Sequence, residues 1–329
     1  MSFERVGVIG GGAWGTALAQ VSASGVRDVL LWAREPEVVE AINRSHENST
    51  FLPGSKLSPS ITATEDLAEL AHCDAWLVVT PAQHMRAVLE AAPTGGKPLI
   101  LCSKGIEERS GAMLHRVAAE AAHGASIAVL SGPTFAHEVA SGMPTAVTLA
   151  AEDQALAEAL RDRIALPTFR IYLSDDVAGA EIGGAVKNVL AIACGVVDGK
   201  GLGQNARAAL IARGFAEMTR FGLANGARRE TLVGLSGLGD LVLTCSSTSS
   251  RNFSLGKGIG EGRSPSELMS DRRTVAEGAF TAPVLARLAS EMGIDMPVVA
   301  AVAKLLSGET QVDLVLQELL ARPPRPEVH

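Results

Sequence analysis

The chain has 329 residues, 47% of them hydrophobic and 20% charged, with a formal net charge of −7, a pI near 5.6 and a mean hydropathy of +0.21. That length supports one large or two medium domains around a well-buried core. The acidic balance argues against nucleic acid or an anionic membrane surface as partner, and leaves room for a small anionic substrate only where positive charge is gathered locally.

Cys73, Cys102, Cys194 and Cys245 stand far apart with no CxxC pair, and the seven histidines show no HExxH spacing. No apolar run reads as long enough to span a bilayer, and the N-terminus passes straight into a strand without a signal peptide. A cytoplasmic, reduced, metal-free protein without a transmembrane segment is expected.

Along the first half, short apolar strands alternate with helical patterns. Val6–Gly10 reads as a strand and Thr16–Ser24 as a helix. Further strands are expected at Val29–Trp32, Ala75–Thr80, Leu99–Ser103, Ile127–Ser131, Thr145–Ala150 and Phe169–Leu173, with helices such as Gln83–Ala92 and Gly111–His123 between them. Near-continuous apolar strands in βα alternation predict a doubly wound parallel sheet, the α/β Rossmann arrangement, over residues 1–177. Ser174-Asp175-Asp176 is placed to cap the helix that follows. From there the pattern turns helical, at Val186–Cys194, Ala206–Phe221, Glu230–Leu235, Ala282–Met292 and Pro297–Leu306. An all-α domain over 178–320 is expected, followed by a proline-rich, disordered tail at 321–329.

Gly10-Gly11-Gly12-Ala13-Trp14-Gly15 follows the first strand and opens a helix. In that setting Gly10, Gly12 and Gly15 fit G-x-G-x-x-G. The first glycine permits the tight turn, the second lets backbone approach a pyrophosphate, and the third lets helix and strand pack closely. About twenty residues on, where an acidic residue would select NAD, stands Arg34, which pairs with a 2′-phosphate and favours NADP. Glu35 beside it offers the ribose an alternative.

The stretch EIGGAVKNVLAIACG, 181–195, holds one lysine among apolar and small residues, in a chain with only seven lysines. On a helical wheel Ile182, Ala185, Val186, Val189 and Ala193 form a core-facing stripe. Gly184, Lys187, Asn188 and Ala191 fall opposite. An apolar helix and a neighbouring cation such as Lys104 both push a lysine down from about 10.4 towards neutrality, where a general acid works best. Asn188 or Asp240 could orient it. Lys104 follows the Leu99 strand, and Ser131-Gly132-Pro133-Thr134 ends another, both at the carboxyl ends where open α/β sheets bind ligands. LSGLGDLVLTCSSTSSRN, 235–252, isolates Asp240 after a glycine turn. It then supplies hydroxyls, Arg251 and Asn252, a donor set suited to phosphate oxygens.

Together GGGAWGTALA, SKGIE (103–107), SGPTFAHEVA (131–140), GGAVKNVLAIACG (183–195), GLSGLGDLVLTCSSTSSRN (234–252) and RRTVAEG (272–278) resemble the bacterial NAD(P)-dependent glycerol-3-phosphate dehydrogenases, in order and spacing, from about residue 5 to 320. The resemblance implies reversible conversion of dihydroxyacetone phosphate to sn-glycerol 3-phosphate for phospholipid synthesis, by a homodimer. It implies that Lys187 is the proton donor and acceptor, and that substrate contacts fall on Lys104, Gly132, Thr134, Asp240, Ser250, Arg251 and Asn252. Dinucleotide contacts are implied at Ala13, Trp14, Arg34, Lys104, Ala136, Arg251, Val275 and Glu277. Position 13, often serine in that family, is alanine here, which removes a hydroxyl but not the backbone N–H. A β-hydroxyacid dehydrogenase, with a similar Lys–Asn helix, and a non-catalytic NADPH sensor are the alternatives. The serine-rich loop ending in Arg251-Asn252 favours a phosphate substrate over the first. The joint presence of Lys104, Lys187 and Asp240 argues against the second.

Overall fold

The computed structural model describes residues 3–24, 27–270 and 276–323. The N-terminal half runs β1 (Val6–Ile9), α1 (Ala13–Ser22), β2 (Val29–Trp32), α2 (Pro36–Ser45), β3 (Glu47–Asn48), β4 (Leu52–Lys56), β5 (Ile61–Thr64), β6 (Ala75–Val78), α3 (Met85–Ala91), β7 (Leu99–Leu101), α4 (Leu114–Ala121), β8 (Ile127–Ser131), α5 (Ala136–Ala140), β9 (Thr145–Ala151), α6 (Gln154–Ile164) and β10 (Phe169–Ser174). Eight strands form one sheet in the order β10-β9-β8-β7-β6-β1-β2-β5, the strand order reversing beside β1 as in a doubly wound fold. Separate apolar clusters cover its two faces. The short antiparallel β3–β4 pair and the edge strand β5 were not read from the sequence. They are brief and half polar, so neither period stands out.

One departure from a fully parallel sheet has consequences. β8 pairs with β9 antiparallel, and β10 runs parallel to β9, so these last two strands oppose the other six. The chain therefore leaves β10 heading away from the carboxyl ends of the other strands. Helix α7 (Val177–Gly199) then packs along β8 and β9 on its way back. Ten residues of α-helix rise about 15 Å, which brings Lys187 back level with those carboxyl ends. Asp176 starts the helix as expected, its Oδ1 accepting from Gly179 N at 2.8 Å and its Oδ2 from Arg228 N at 2.8 Å.

Around α7 lie α8 (Gly203–Ala224), α9 (Arg229–Leu232), a π turn at Leu235–Gly239, α10 (Asp240–Thr244), α11 (Arg251–Gly260), α12 (Pro265–Leu268), α13 (Glu277–Glu291), α14 (Pro297–Ser307) and α15 (Val312–Leu320). The helical-wheel expectation of two unlike faces needs correction: every α7 residue from Gly179 to Val197 is buried. So does the reading that no apolar run is long enough for a bilayer. The 23 residues of α7, with hydropathy 1.5, are long and apolar enough by composition, but the fold surrounds them on all sides.

Glycines make this possible. A Cβ on Gly195 would lie 2.0 Å from Phe253 O, and one on Gly256 would lie 1.9 Å from Ile192 O, so α7 and α11 meet backbone to backbone. Three glycines within α11, Gly256, Gly258 and Gly260, poor helix formers, hid that helix in the sequence. Of the expected tail, residues 324–329 lie outside the described residues.

Candidate active site

The glycine turn after β1 has the geometry its composition demands. Gly10 sits at φ +125°, and a Cβ there would meet Val79 O at 2.9 Å; a Cβ on Gly15 would meet Gly10 O at 1.9 Å. Gly12, by contrast, has nothing within 4 Å of where its Cβ would stand. As the N-cap of α1 it supplies no side-chain acceptor. Free helix-start amides beside open space suit an anionic phosphate, through both hydrogen bonding and the helix dipole. Ala13 and Trp14 begin the helix and pack partly into the sheet core. Arg34 follows β2, its side chain 77% exposed and resting on Glu35 at 2.9 Å. Such an exposed pair is worth little, so the guanidinium is easily drawn to a phosphate.

Three strand ends away, a buried carboxylate lies between two ammonium groups. Asp240 is 0% exposed. Its Oδ1 accepts from Lys187 Nζ at 2.7 Å and its Oδ2 from Lys104 Nζ at 2.6 Å. Lys187 Nζ also donates to Thr244 Oγ1 at 2.8 Å, while Lys104 Nζ donates to Gly132 O at 3.1 Å. Asp240 and Thr244 stand four apart on α10, the helical spacing that turns both toward one point. Sequence reasoning missed Thr244, although that i, i+4 spacing was the signal. Burial holds the Lys187 ammonium down at about 8. The Asp240 carboxylate resists that shift and the Lys104 charge adds to it. The lysine is therefore charged at neutral pH yet able to release a proton.

Glycines let neighbouring segments close tightly around this bridge. A Cβ on Gly184 would lie 3.2 Å from both Lys104 Cγ and Ser131 Oγ. Gly132, at φ +156°, lies so close to β9 that a Cβ would meet Val147 Cα at 2.9 Å. Its carbonyl also accepts weakly from Thr134 Oγ1 at 3.4 Å.

Of the two groups expected to orient Lys187, Asp240 does so. Asn188 instead accepts from Asn252 Nδ2 at 3.0 Å, and Asn252 Oδ1 accepts from Gly278 N at 2.9 Å. This chain ties α7, α11 and α13 together and leaves Asn252 one amide proton. Ser250 Oγ caps α11 by accepting from Phe253 N at 3.2 Å, and Arg251 is the exposed first residue of that helix.

Glu277 opens α13 and accepts from Ala82 N at 3.2 Å. Desolvation pushes its carboxyl up to about 7, against the pull of that N–H and of Arg251. Ala136 opens α5, packed against the sheet core. Val275 lies outside the described residues.

Glycine turn, lysine bridge and Arg251–Asn252 thus surround the carboxyl ends of β1, β6, β7 and β8. The set combines open helix-start amides, an ammonium that burial brings to about 8 and side-chain donors able to pair with a phosphate. The N-terminal family model of NAD-dependent glycerol-3-phosphate dehydrogenase matches residues 5–157, and its C-terminal counterpart matches 176–317. The chain is 64% identical over 323 residues to the glycerol-3-phosphate dehydrogenase (NAD(P)+) of Erythrobacter litoralis (strain HTCC2594), covering 98% of each. It is 65% identical over 326 residues to that of Novosphingobium aromaticivorans, again covering 98% of each. A crystal structure of glycerol-3-phosphate dehydrogenase from Coxiella burnetii matches with a TM-score of 0.92 at 37% identity, over 97% of this chain and 99% of that one. By sequence, by fold and by the groups its strand ends bring together, the chain belongs to the NAD-dependent glycerol-3-phosphate dehydrogenase family.

Proposed function

We propose that this protein interconverts dihydroxyacetone phosphate and sn-glycerol 3-phosphate with NADPH or NADH, supplying backbones for glycerophospholipids. The observation that carries the reading is the Lys104–Asp240–Lys187 bridge at the carboxyl ends of the sheet. Residues 1–177 take the dinucleotide and 178–320 complete the site for the triose phosphate. The residues fit the cofactor. Gly10, Gly12, Ala13, Trp14 and Gly15 offer backbone to the pyrophosphate, and Arg34 favours the 2′-phosphate of NADPH. Lys104, Ala136, Arg251, Val275 and Glu277 are assigned to the rest of the dinucleotide. When bound, the nicotinamide supplies the hydride that reduces the carbonyl carbon.

The protein's own part is proton delivery and positioning. Reduction of a ketone builds negative charge on its oxygen. The Lys187 ammonium, with one proton not taken by Asp240 or Thr244, donates to it; in reverse the neutral amine takes the proton back. Asp240 fixes the direction of that amine. Lys104, Gly132 and Thr134 line the approach to the reacting carbons. Arg251 and Asn252, with the Ser250 hydroxyl beside them, hold the phosphate end. Gripping the unreactive end converts binding energy into orientation of the carbonyl.

We further assign a cytoplasmic homodimer with no nucleic-acid or membrane partner. The net charge of −7 and four free, buried cysteines among the described residues support that setting, and sedimentation tests the dimer.

Steady-state assay of dihydroxyacetone phosphate with NADPH and NADH in turn decides the activity. Oxidation of cofactor supports the reading. Turnover only with hydroxyisobutyrate-type acids would install the β-hydroxyacid alternative. Cofactor binding with no turnover on any ketose phosphate would leave a sensor.

A further inference from the structure

The glycine turn poses a mechanical problem that its own residues do not solve. A Cβ at Gly11 would lie 2.5 Å from Ala33 Cβ, so close packing on the end of β2 demands glycine there. Gly12 must also be bare for backbone to approach a phosphate. The peptide unit between them is consequently flanked by two residues without side chains, and such a unit rotates with little steric resistance. A rotated unit would present a carbonyl oxygen where an anion needs an N–H.

Asn48, in β3, is 0% exposed and sits beside this unit. Its Nδ2 donates to Gly11 O at 2.7 Å and to Thr16 Oγ1 at 2.8 Å, and its Oδ1 accepts from Phe51 N at 3.0 Å. Both amide protons are engaged, so the side chain itself has one orientation. The Thr16 hydroxyl donates in turn to Gly11 O at 3.4 Å. In a planar trans peptide the carbonyl and the following N–H point in opposite directions. Fixing Gly11 O toward Asn48 therefore fixes the Gly12 N–H away from it, on the open side of the turn.

We infer that Asn48 is a positioning residue for the dinucleotide: it locks the Gly11–Gly12 peptide so that the Gly12 N–H faces the pyrophosphate. The β3–β4 pair, anchored on the sheet core by buried Leu52, is then part of the cofactor site through this one buried amide. The inference rests on the dinucleotide-binding reading above, and it assigns Asn48 no contact with substrate or with Lys187.

Asn48→Asp keeps the size and the acceptor for Phe51 N but sets an anion against Gly11 O. Thr16→Val removes only the hydroxyl arm. NADPH affinity is read by fluorescence titration of the full chain without substrate, so the result does not depend on which ketone is reduced. For Asn48→Asp the dissociation constant and the NADPH KM rise about tenfold or more, while kcat at saturating NADPH and the KM for dihydroxyacetone phosphate stay within about twofold. Thr16→Val moves NADPH affinity the same way by a smaller factor. Unchanged NADPH affinity in both variants overturns the inference. So does a parallel loss of NADPH affinity, kcat and melting temperature, which marks a merely structural residue. Absent turnover in a wild-type chain that still binds NADPH defeats the proposed activity and leaves this inference standing.

Discussion

Arg163 and Lys187 are both buried cations, 7% and 6% exposed, at opposite ends of the sheet. Arg163, in α6, reaches under the start of the sheet. Its guanidinium donates to the carbonyls of Phe3 and Ser22, each at 2.8 Å, and more weakly to those of Glu4 and Asp28. Neutral acceptors fan out to match its planar fork, and a guanidinium stays charged even where burial pulls its pKa down. Lys187 is held by one carboxylate oxygen and one hydroxyl. Burial brings it to about 8, within reach of losing its proton. One cation fastens the segments that enter β1 and β2 to the end of α1, and the other is a titrating group. The choice of head group and of acceptors separates the two roles.

The sharpest break in this comparison is Lys187→Ala. General acid–base catalysis contributes about 10²–10⁴-fold, so kcat falls by about three orders of magnitude while NADPH still binds; steady-state rates and a binding titration check it. Arg163→Met gives the mirror result. It strands carbonyls in the core and costs about 3 kcal/mol in urea unfolding, with kcat within about twofold. A large loss of turnover without loss of stability there would dissolve the distinction.

The pH profile refines it. Under the proposed proton transfer, reduction uses protonated Lys187, so its rate in the wild type falls as pH rises through about 8, while oxidation, which uses the neutral amine, rises over the same range. Asp240→Asn removes the nearby anion that holds the Lys187 proton. Both transitions then move to lower pH by about one unit or more, read from kcat/KM across pH. Thr244→Val is the smallest change. It leaves the Asp240 contact and removes one acceptor from the ammonium, lowering kcat by about tenfold or less.

Much of the fold was legible because its signals are local. Seven of the eight sheet strands are largely apolar segments bounded by turn residues, and G-x-G-x-x-G between strand and helix announced the tight glycine turn. Lys187 stood out because a lone charge in an apolar helix is conspicuous. Asn48 did not stand out. It sits in an ordinary polar stretch, HENST, and its importance lies in contacts with Gly11 and Thr16 more than thirty residues away. The antiparallel turn at β9 was likewise hidden, since an apolar strand looks the same in either direction.

Composition and periodicity by themselves determined the α/β-then-α order, the glycine-rich turn and the candidate lysine, because each depends on residues adjacent in the chain. Only tertiary structure decided that Asp240 bridges Lys104 and Lys187, across 136 and 53 positions, and that α7 is enclosed on every side. A charge's protonation depends on what surrounds it in space. That surrounding is assembled from distant segments by packing, which no local pattern encodes.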